Sequence, residues 1–590
     1  MNLASLRRRG ARMGRQLERL LHGPRLAFWF DASYRLPLAS VEALTGMEPR
    51  RADLVISFLH SLGVLRERDL RKPTRVRFED LCRVHTTQWL EEIHEPQTLA
   101  RVFAVDASDV VVGEVLDTLR FACGGTLEAA RASLLAHGPT MNLLGGFHHA
   151  GPQRGGGFCA VNDIAVAIRA LRAEGFDKRV VVLDLDAHPP DGTAECFPRD
   201  PSVWIGSLSG ADWGPMPGVD ETVLPSQCDD STYLAALAQL LSRMPPAGLC
   251  FVIAGGDVLE VDRLGGLSLS VSGAFERDRL VARKLEGTPQ VWIPGGGYSN
   301  DAWRVLAGTA LALLGRPPTH LSADIDPLAL SFARISQGLE AERLGADIQL
   351  TEADIFADLG ARGMQEAKLL GFYTASGLEF ALARFGILSH LRRLGYGAFR
   401  VVVDGDDRGD RMRVFASSDG AEHLLFETVL EKRMLADRPV LYVHWLTLRN
   451  PRGKFSNVRP KLPGQEEPGL GLAQEAGQLL ARMAERLGLE GIAFRPAWLH
   501  TAYAARHRMR FADAARQGRF QALLRDLSHL PLRDVSMALA EGLVRLNGEP
   551  YTWEADEMVR WLDREAMQDD ATERAAEAAH FTLESAPSGA

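Results

Sequence analysis

The sequence predicts an α/β protein: an open, mostly parallel sheet with helices on both faces, followed by a smaller α+β domain. Three observations predict it. Val180–Leu185, Leu249–Ala254 and Gln290–Ile293 are short runs, largely apolar and β-branched, without the polar alternation of a half-exposed strand. Such runs mark strands buried on both faces of a parallel sheet. Amphipathic helical segments lie between them, for example Ala160–Glu174, closed by Gly175 as a C-cap. Each run also ends in a polar or glycine-rich turn: Asp184-Leu185-Asp186-Ala187-His188, Gly255-Gly256-Asp257 and Gly295-Gly296-Gly297-Tyr298. In open parallel sheets the ligand crevice lies at the carboxyl ends of the strands, so these turns point to one pocket.

With 590 residues the chain is too long for a single core. Its 46% hydrophobic and 24% charged residues exclude disorder and coiled coil. A net charge of −9 excludes a generally nucleic-acid-binding surface. No apolar run reaches the roughly 18 residues of a membrane span, so no membrane association is expected. The Arg-rich start (Arg7, Arg8, Arg9, Arg12, Arg15) lacks the apolar segment of a secretory signal and reads as a basic arm, 1–25. Six cysteines without a C-x-x-C pair suit a reducing cytoplasm and leave any metal to histidine and carboxylates. A change of composition near Arg316-Pro317-Pro318 separates a first domain, 26–318, from a second, 320–570, with a loose polar tail over 571–590.

The chemistry concentrates in the first domain. Asp186 and His188, two apart at a strand end, leave the same face, and Asp257 is the best third partner from an adjacent strand end. One imidazole and two carboxylates suit zinc and leave a fourth position open. His148 and His149, adjacent in a glycine-rich loop, suit proton transfer near neutral pH. Asp184 and Asp191 flank the metal pair and can each orient an imidazole. Tyr298, on a triple-glycine turn, can place a hydroxyl against a developing oxyanion.

These residues fall into ordered motifs: Gly145-Gly146-Phe147-His148-His149-Ala150, Gly157-Phe158-Cys159-Ala160-Val161-Asn162-Asp163, Asp184-Leu185-Asp186-Ala187-His188, Gly256-Asp257-Val258-Leu259 with Asp262-Arg263-Leu264-Gly265, and Gly295-Gly296-Gly297-Tyr298. Together they resemble the classical zinc-dependent histone deacetylase family, of arginase-like fold, and most closely its class IV-like and acetoin-utilisation-type bacterial branch. Pro49-Arg50-Arg51-Ala52 and Val84-His85-Thr86 resemble family segments too.

The resemblance implies zinc on Asp186, His188 and Asp257, and His149, paired with Asp191, as general base and acid. It implies that His148, paired with Asp184, tunes the site, and that Tyr298 donates to the substrate carbonyl oxygen. The substrate tunnel falls on Gly157, Phe158 and Met216, with Met216 in place of the usual aromatic giving a softer, wider wall. Leu264 stands where polyamine-selective relatives carry a glutamate, which counts against a cationic small amine. Asp184, Ser207 and Leu208 match a structural potassium site. Pro189-Pro190 departs from the family pattern; if the family glycine there needs another backbone shape, the prolines displace Asp191, while the metal triad is untouched and an active enzyme is expected.

The implied activity is zinc-dependent removal of acyl groups from acyl-lysine side chains of a protein or peptide, or from related small N-acyl amines. A small-molecule amidohydrolase of a biosynthetic pathway and a non-catalytic acyl-lysine-binding or scaffold protein are the alternatives. In the second domain, Ala398–Val403, Arg411–Ala416, Leu424–Val429 and Val440–Leu446 read as sequential strands, and Gly471–Leu487 as a helix. Gln465-Glu466-Glu467-Pro468-Gly469-Leu470-Gly471 reads as a plain Gly/Pro turn before a helix; it also resembles the acyl-CoA loop of GNAT acetyltransferases, though one residue longer, which leaves acyl-CoA binding there as the alternative. His500 and His507, one heptad apart in a predicted helix, are expected to share a face. Arg449, Arg452, Lys454, Arg459 and Lys461 form a solvated basic stretch.

Overall fold

A computed structural model describes residues 26–583, except 32, 37, 39–40, 42–44, 319, 324, 346–366, 456–459 and 563–569. The basic arm 1–25, Arg459 and the last seven residues of the expected tail, 584–590, lie outside the described residues. Backbone proximity divides the chain into Met1–Ser331 and Phe332–Ala590. Among the described residues, no helix is long and apolar enough to cross a membrane.

The first unit is built on an eight-stranded, all-parallel sheet. Its strands are β1 (Ala27–Trp29), β2 (Leu70–Arg71), β3 (Pro139–Asn142), β4 (Val180–Asp184), β5 (Val203–Ser209), β6 (Val219–Val223), β7 (Leu249–Ile253) and β8 (Gln290–Ile293). The order is β2-β1-β3-β8-β7-β4-β5-β6. Every residue of β4, β7 and β8 is buried, as their unbroken apolar character requires. These three strands are neighbours, and Asp184 pairs with Ile253 while Ile253 pairs with Ile293. Their ends are therefore level, and the three turns that follow open at one place.

The helix expected over 160–174 forms as Asp163–Ala173, capped by the Asn162 side chain accepting from Ala165 N–H. Gly175 follows with φ +92°, a backbone state that glycine adopts without strain.

His85 ties this helix start to the loop after the paired histidines. Its Nδ1 lies 3.0 Å from the Gly151 carbonyl, and its Nε2 accepts from Asn162 N–H at 3.0 Å. The ring must be neutral and protonated on Nδ1, and burial pushes its pKa down to about 4. An unfolded histidine titrates near 6.5, so below that pH the unfolded chain takes up a proton that the folded one refuses. Stability is fully present above pH 6.5 and falls as pH drops toward 4, by about 2 kcal/mol between pH 7 and pH 5. Urea midpoints of the native protein and His85→Asn at both pH values check this: the native protein shows the larger acid loss.

In the second unit the observed strands extend the predicted ones: β9 (Gly397–Asp406), β10 (Gly409–Ser418), β11 (Ala421–Leu435) and β12 (Arg438–Leu448). They continue into β13 (Gly491–Phe494), β14 (Arg510–Phe511) and β17 (Met558–Trp561), in the order β14-β17-β13-β12-β11-β10-β9. All neighbours are antiparallel except β12 and β13, which the helix Ala473–Arg486 connects. β12 pairs with β13 only over Val440–Val443, and its further course to Leu448 lies beyond β13. His444 is an extra residue there, since Val429 pairs with Trp445 and Leu430 with Val443.

Two expectations for this unit need correction. The tail from 571 is not loose where it is described: Asp570–Ala578 is helical. After it, β18 (Phe581–Leu583) pairs with β15 (Val544–Leu546), which also pairs with β16 (Glu549–Pro550). Phe581 supplies the reason, as a buried anchor whose ring centroid lies 5.1 Å from that of Tyr551. His500 and His507 do not share a helical face, because the helix ends at Ala505. Arg506 N–H turns back to the Tyr503 carbonyl, closing the helix in a tighter turn.

Candidate metal and catalytic centre

The level ends of β4 and β7 bring Asp186, His188 and Asp257 together. One ligating atom from each lies within 4.8 Å of the others. His188 Nδ1 is 3.1 Å from Asp186 Oδ1 and 2.9 Å from Asp257 Oδ2. Backbone N–H groups hold the carboxylates in place: Gly296 donates to Asp186 Oδ2 at 2.6 Å and Ala187 to Asp257 Oδ1 at 3.1 Å.

Glycines make the room. A Cβ on Gly255 would stand 2.5 Å from Asp257 Oδ1, and one on Gly296 2.5 Å from Asp257 Oδ2. Arg51 fixes this turn from below, donating to the carbonyls of Gly295 at 2.9 Å and Gly296 at 3.2 Å.

Electrostatics favour positive charge at this point. Burial alone would raise Asp186, but His148 and His188 outweigh it and hold the carboxyl well below its ordinary value. Burial would lower His188, but hydrogen bonds to Asp186 and Asp257 raise it to about 11. Two buried carboxylates and one imidazole, carried on rigid strand ends, fit a divalent cation of the zinc type.

The paired histidines stand beside this centre, their ring centroids 4.0 Å apart. His148 Nδ1 is 2.8 Å from Asp184 Oδ2, and His149 Nδ1 is 2.6 Å from Asp191 Oδ1. Their environments drive them apart. Burial lowers His148, yet Asp184 and Asp186 more than compensate and raise it to about 9. Burial and the charge of His148 bring His149 down to about 4, despite Asp191. The shifts run in opposite directions, His148 toward the protonated form and His149 toward the neutral one, whose Nδ1 faces Asp191. Such a divergence is how acid and base roles are separated.

The double proline leaves Asp191 within hydrogen-bond reach of His149. Pro190 takes the N-cap position of the short helix Asp191–Cys196 with φ −82°, where the missing N–H costs no hydrogen bond. Arg154 then holds the carboxylate from its far side, donating to Asp191 Oδ2 at 2.8 Å and to Glu195.

Tyr298 is buried, and burial together with the charges of Asp186 and Asp257 pushes its pKa well up, so it remains a neutral donor. Its backbone N–H donates to Asp262 Oδ2 at 2.6 Å. Phe158 lies against it with ring centroids 5.5 Å apart. Gly157 (φ +52°) and Phe158 (φ +64°) turn this wall inward, and a Cβ on Gly157 would meet the His149 ring at 2.3 Å. Leu264 is exposed, on the loop whose Asp262 supports Tyr298.

A ring beside the imidazoles belongs to Trp213, which the sequence reading did not name. Its centroid is 5.3 Å from that of His149 and 6.3 Å from that of His188. Met216, half-buried, lies three positions later, its carbonyl accepting from Val219 N–H.

Asp184 and Ser207 pair in register across β4 and β5, and Leu208 is buried beside them. The Ser207 hydroxyl is fully buried and finds no hydrogen-bond partner among the described residues, which fits an oxygen-ligated monovalent cation.

Trp213, Arg154 and the role of Arg51 escaped the sequence reading. Trp213 and Arg154 lie in loops with no periodic signal. Arg51 acts through backbone carbonyls that only the folded turn presents.

A profile for the histone deacetylase domain matches residues 45–314. Histone deacetylase 2 of Arabidopsis thaliana is 31% identical over 294 residues, covering 47% of this chain and 76% of that protein. The chain belongs to the histone deacetylase family. An uncharacterized protein of a Picosynechococcus strain is 36% identical over 243 residues, covering 36% of this chain and 76% of the relative. A crystal structure of a histone deacetylase homologue from Aquifex aeolicus aligns with a TM-score of 0.42 at 24% identity, covering 50% of this chain and 85% of that one. The family profile ends at residue 314, so the second unit lies beyond it.

Proposed function

We propose that the first unit is a zinc-dependent deacylase acting on acyl-lysine side chains or related N-acyl amines. The observation that carries this reading is the convergence of Asp186, His188 and Asp257 beside two adjacent histidines, each hydrogen-bonded through Nδ1 to its own aspartate. Zinc held by these three residues would polarise the amide carbonyl and acidify a water molecule.

The chain's own residues do the rest. Tyr298 donates its hydroxyl to the carbonyl oxygen as negative charge develops there. His149 Nε2 takes a proton from the attacking water and returns it to the departing amine nitrogen, while Asp191, steadied by Arg154, keeps the ring in the required tautomer. His148, charged and bound to Asp184, supports negative charge in the centre. Asp184, Ser207 and Leu208 would hold potassium beneath it, stiffening the same turn. Phe158 and Gly157 shape a passage for an unbranched stem, with Leu264 at its rim. The class IV-like motifs and the free state of all six cysteines support a bacterial-type enzyme of a reducing, cytoplasmic setting.

The test is hydrolysis of a panel of acetylated peptides and small acetylated amines by the metal-loaded protein. Turnover of peptides supports the acyl-lysine reading, and turnover of small amines alone supports the small-molecule alternative. Binding of either without product would support the non-catalytic one.

A second reading concerns the other unit. β12 runs on past its parallel neighbour, so residues His444–Leu448 present an edge that β13 does not cover, and Gly469-Leu470-Gly471 leads into the helix Ala473–Arg486. This unpaired run supports acyl-CoA binding in the second unit: an extended amide chain can pair with the edge while its phosphates meet the helix start. Equilibrium dialysis of the full chain with acetyl-CoA tests it, and no binding at millimolar ligand removes it.

A further inference from the structure

Trp213 has no part in the chemistry described above, yet it is placed on it. Its indole is tilted 32° to the His149 ring and 48° to the His188 ring, and 52% of the residue remains exposed. One side of the indole therefore covers the imidazoles while the rest faces solvent.

The loop that carries it is fixed rather than loose. Gly214 N–H donates to Asp212 Oδ1 at 2.9 Å, Gly214 takes φ +83°, and Pro215 and Pro217 stiffen the following residues. The start of this loop lies against the one that carries Leu264: a Cβ on Gly210 would meet the Gly265 carbonyl at 3.1 Å. Leu264 is 45% exposed and Val261 57%. Two touching loops thus show solvent an indole and two aliphatic side chains beside the catalytic centre. Clustered apolar exposure of this kind marks a surface that meets a ligand.

We propose that Trp213 sets the amine-side specificity of the hydrolysis, selecting N-acyl amines that carry an aromatic or apolar group beyond the stem over those that carry a charged group there. The inference rests on the amide-hydrolysis reading. The stem passes between Phe158 and the indole, and the group beyond it stacks on the outward face of the indole. Stacking of aromatic rings contributes roughly 2- to 12-fold in binding. A carboxylate at the same position gains no such stacking, and Asp212, Glu260 and Arg263, exposed on the same two loops, offer it charges of both signs.

The experiment compares kcat/KM for two substrates that share an acetyl group and a lysine-like stem, one extended by an aromatic amide and the other by a carboxylate. The native protein is expected to prefer the aromatic substrate by about 10-fold, mainly through KM. Trp213→Ala should bring the ratio close to one, and Trp213→Phe should retain most of the preference. The inference is overturned if Trp213→Ala keeps the native ratio, or if Met216→Ala removes the preference while Trp213→Ala does not. Failure of the native protein to hydrolyse either substrate would instead overturn the amide-hydrolysis reading, and this inference with it.

Discussion

Asp257→Ala is expected to strip the centre of its metal and to lower deacylation by more than about 100-fold, because losing outer partners of a metal site alone costs about 10–100-fold. Asp257 is fully buried, and its two oxygens are divided between Ala187 N–H and His188. Without it the ion keeps one carboxylate and one imidazole, below the three protein ligands of catalytic zinc sites. The remaining pair would also lose its geometry, since Asp257 and Asp186 together hold the Nδ1 of His188. Metal content by mass spectrometry and turnover should fall together. Asp257→Asn, which keeps the shape but not the charge, separates loss of metal from loss of fold. Full metal content in both variants would remove Asp257 from the ligand set.

Tyr298→Phe should behave differently, keeping the metal and losing turnover. Removal of one oxyanion donor costs about 10²–10³ in kcat, or about 2.7–4 kcal/mol. The substitution takes away a single hydroxyl. The ring keeps its contact with Phe158, and the backbone N–H keeps Asp262, so neither the fold nor the carboxylates should move. KM should change little, because the hydroxyl acts on charge that appears only in the transition state. A variant with native kcat would assign the stabilisation of the carbonyl oxygen to other donors.

What the sequence made legible was the part written in short-range patterns. β4, β7 and β8 were visible because a strand buried on both faces cannot hide its apolar run. Asp186, His188, Asp257 and Tyr298 were visible because they directly follow those runs, at strand ends that a parallel sheet keeps level. The same argument could not see Trp213, whose position depends on a Gly-Pro-rich loop returning over the imidazoles. It could not see Arg154 either, since its partner Asp191 is distant in sequence and near only once the short helix after Pro190 has formed. The tail was misjudged for a related reason: Asp570–Ala578 is polar and alanine-rich, and its order depends on Phe581 finding a core that the local sequence does not announce. Whether Pro189-Pro190 displaces Asp191 was open in the sequence, because it depends on the position the prolines take, and the structure puts Pro190 at a helix N-cap.

The most direct test of the central claim is acetate release from an acetyl-lysine peptide as the metal-free protein is titrated with zinc. The predicted result is a rate that rises linearly and levels off at one equivalent of zinc per chain. A rate independent of zinc, or a protein that takes up one equivalent and releases no acetate, would contradict it.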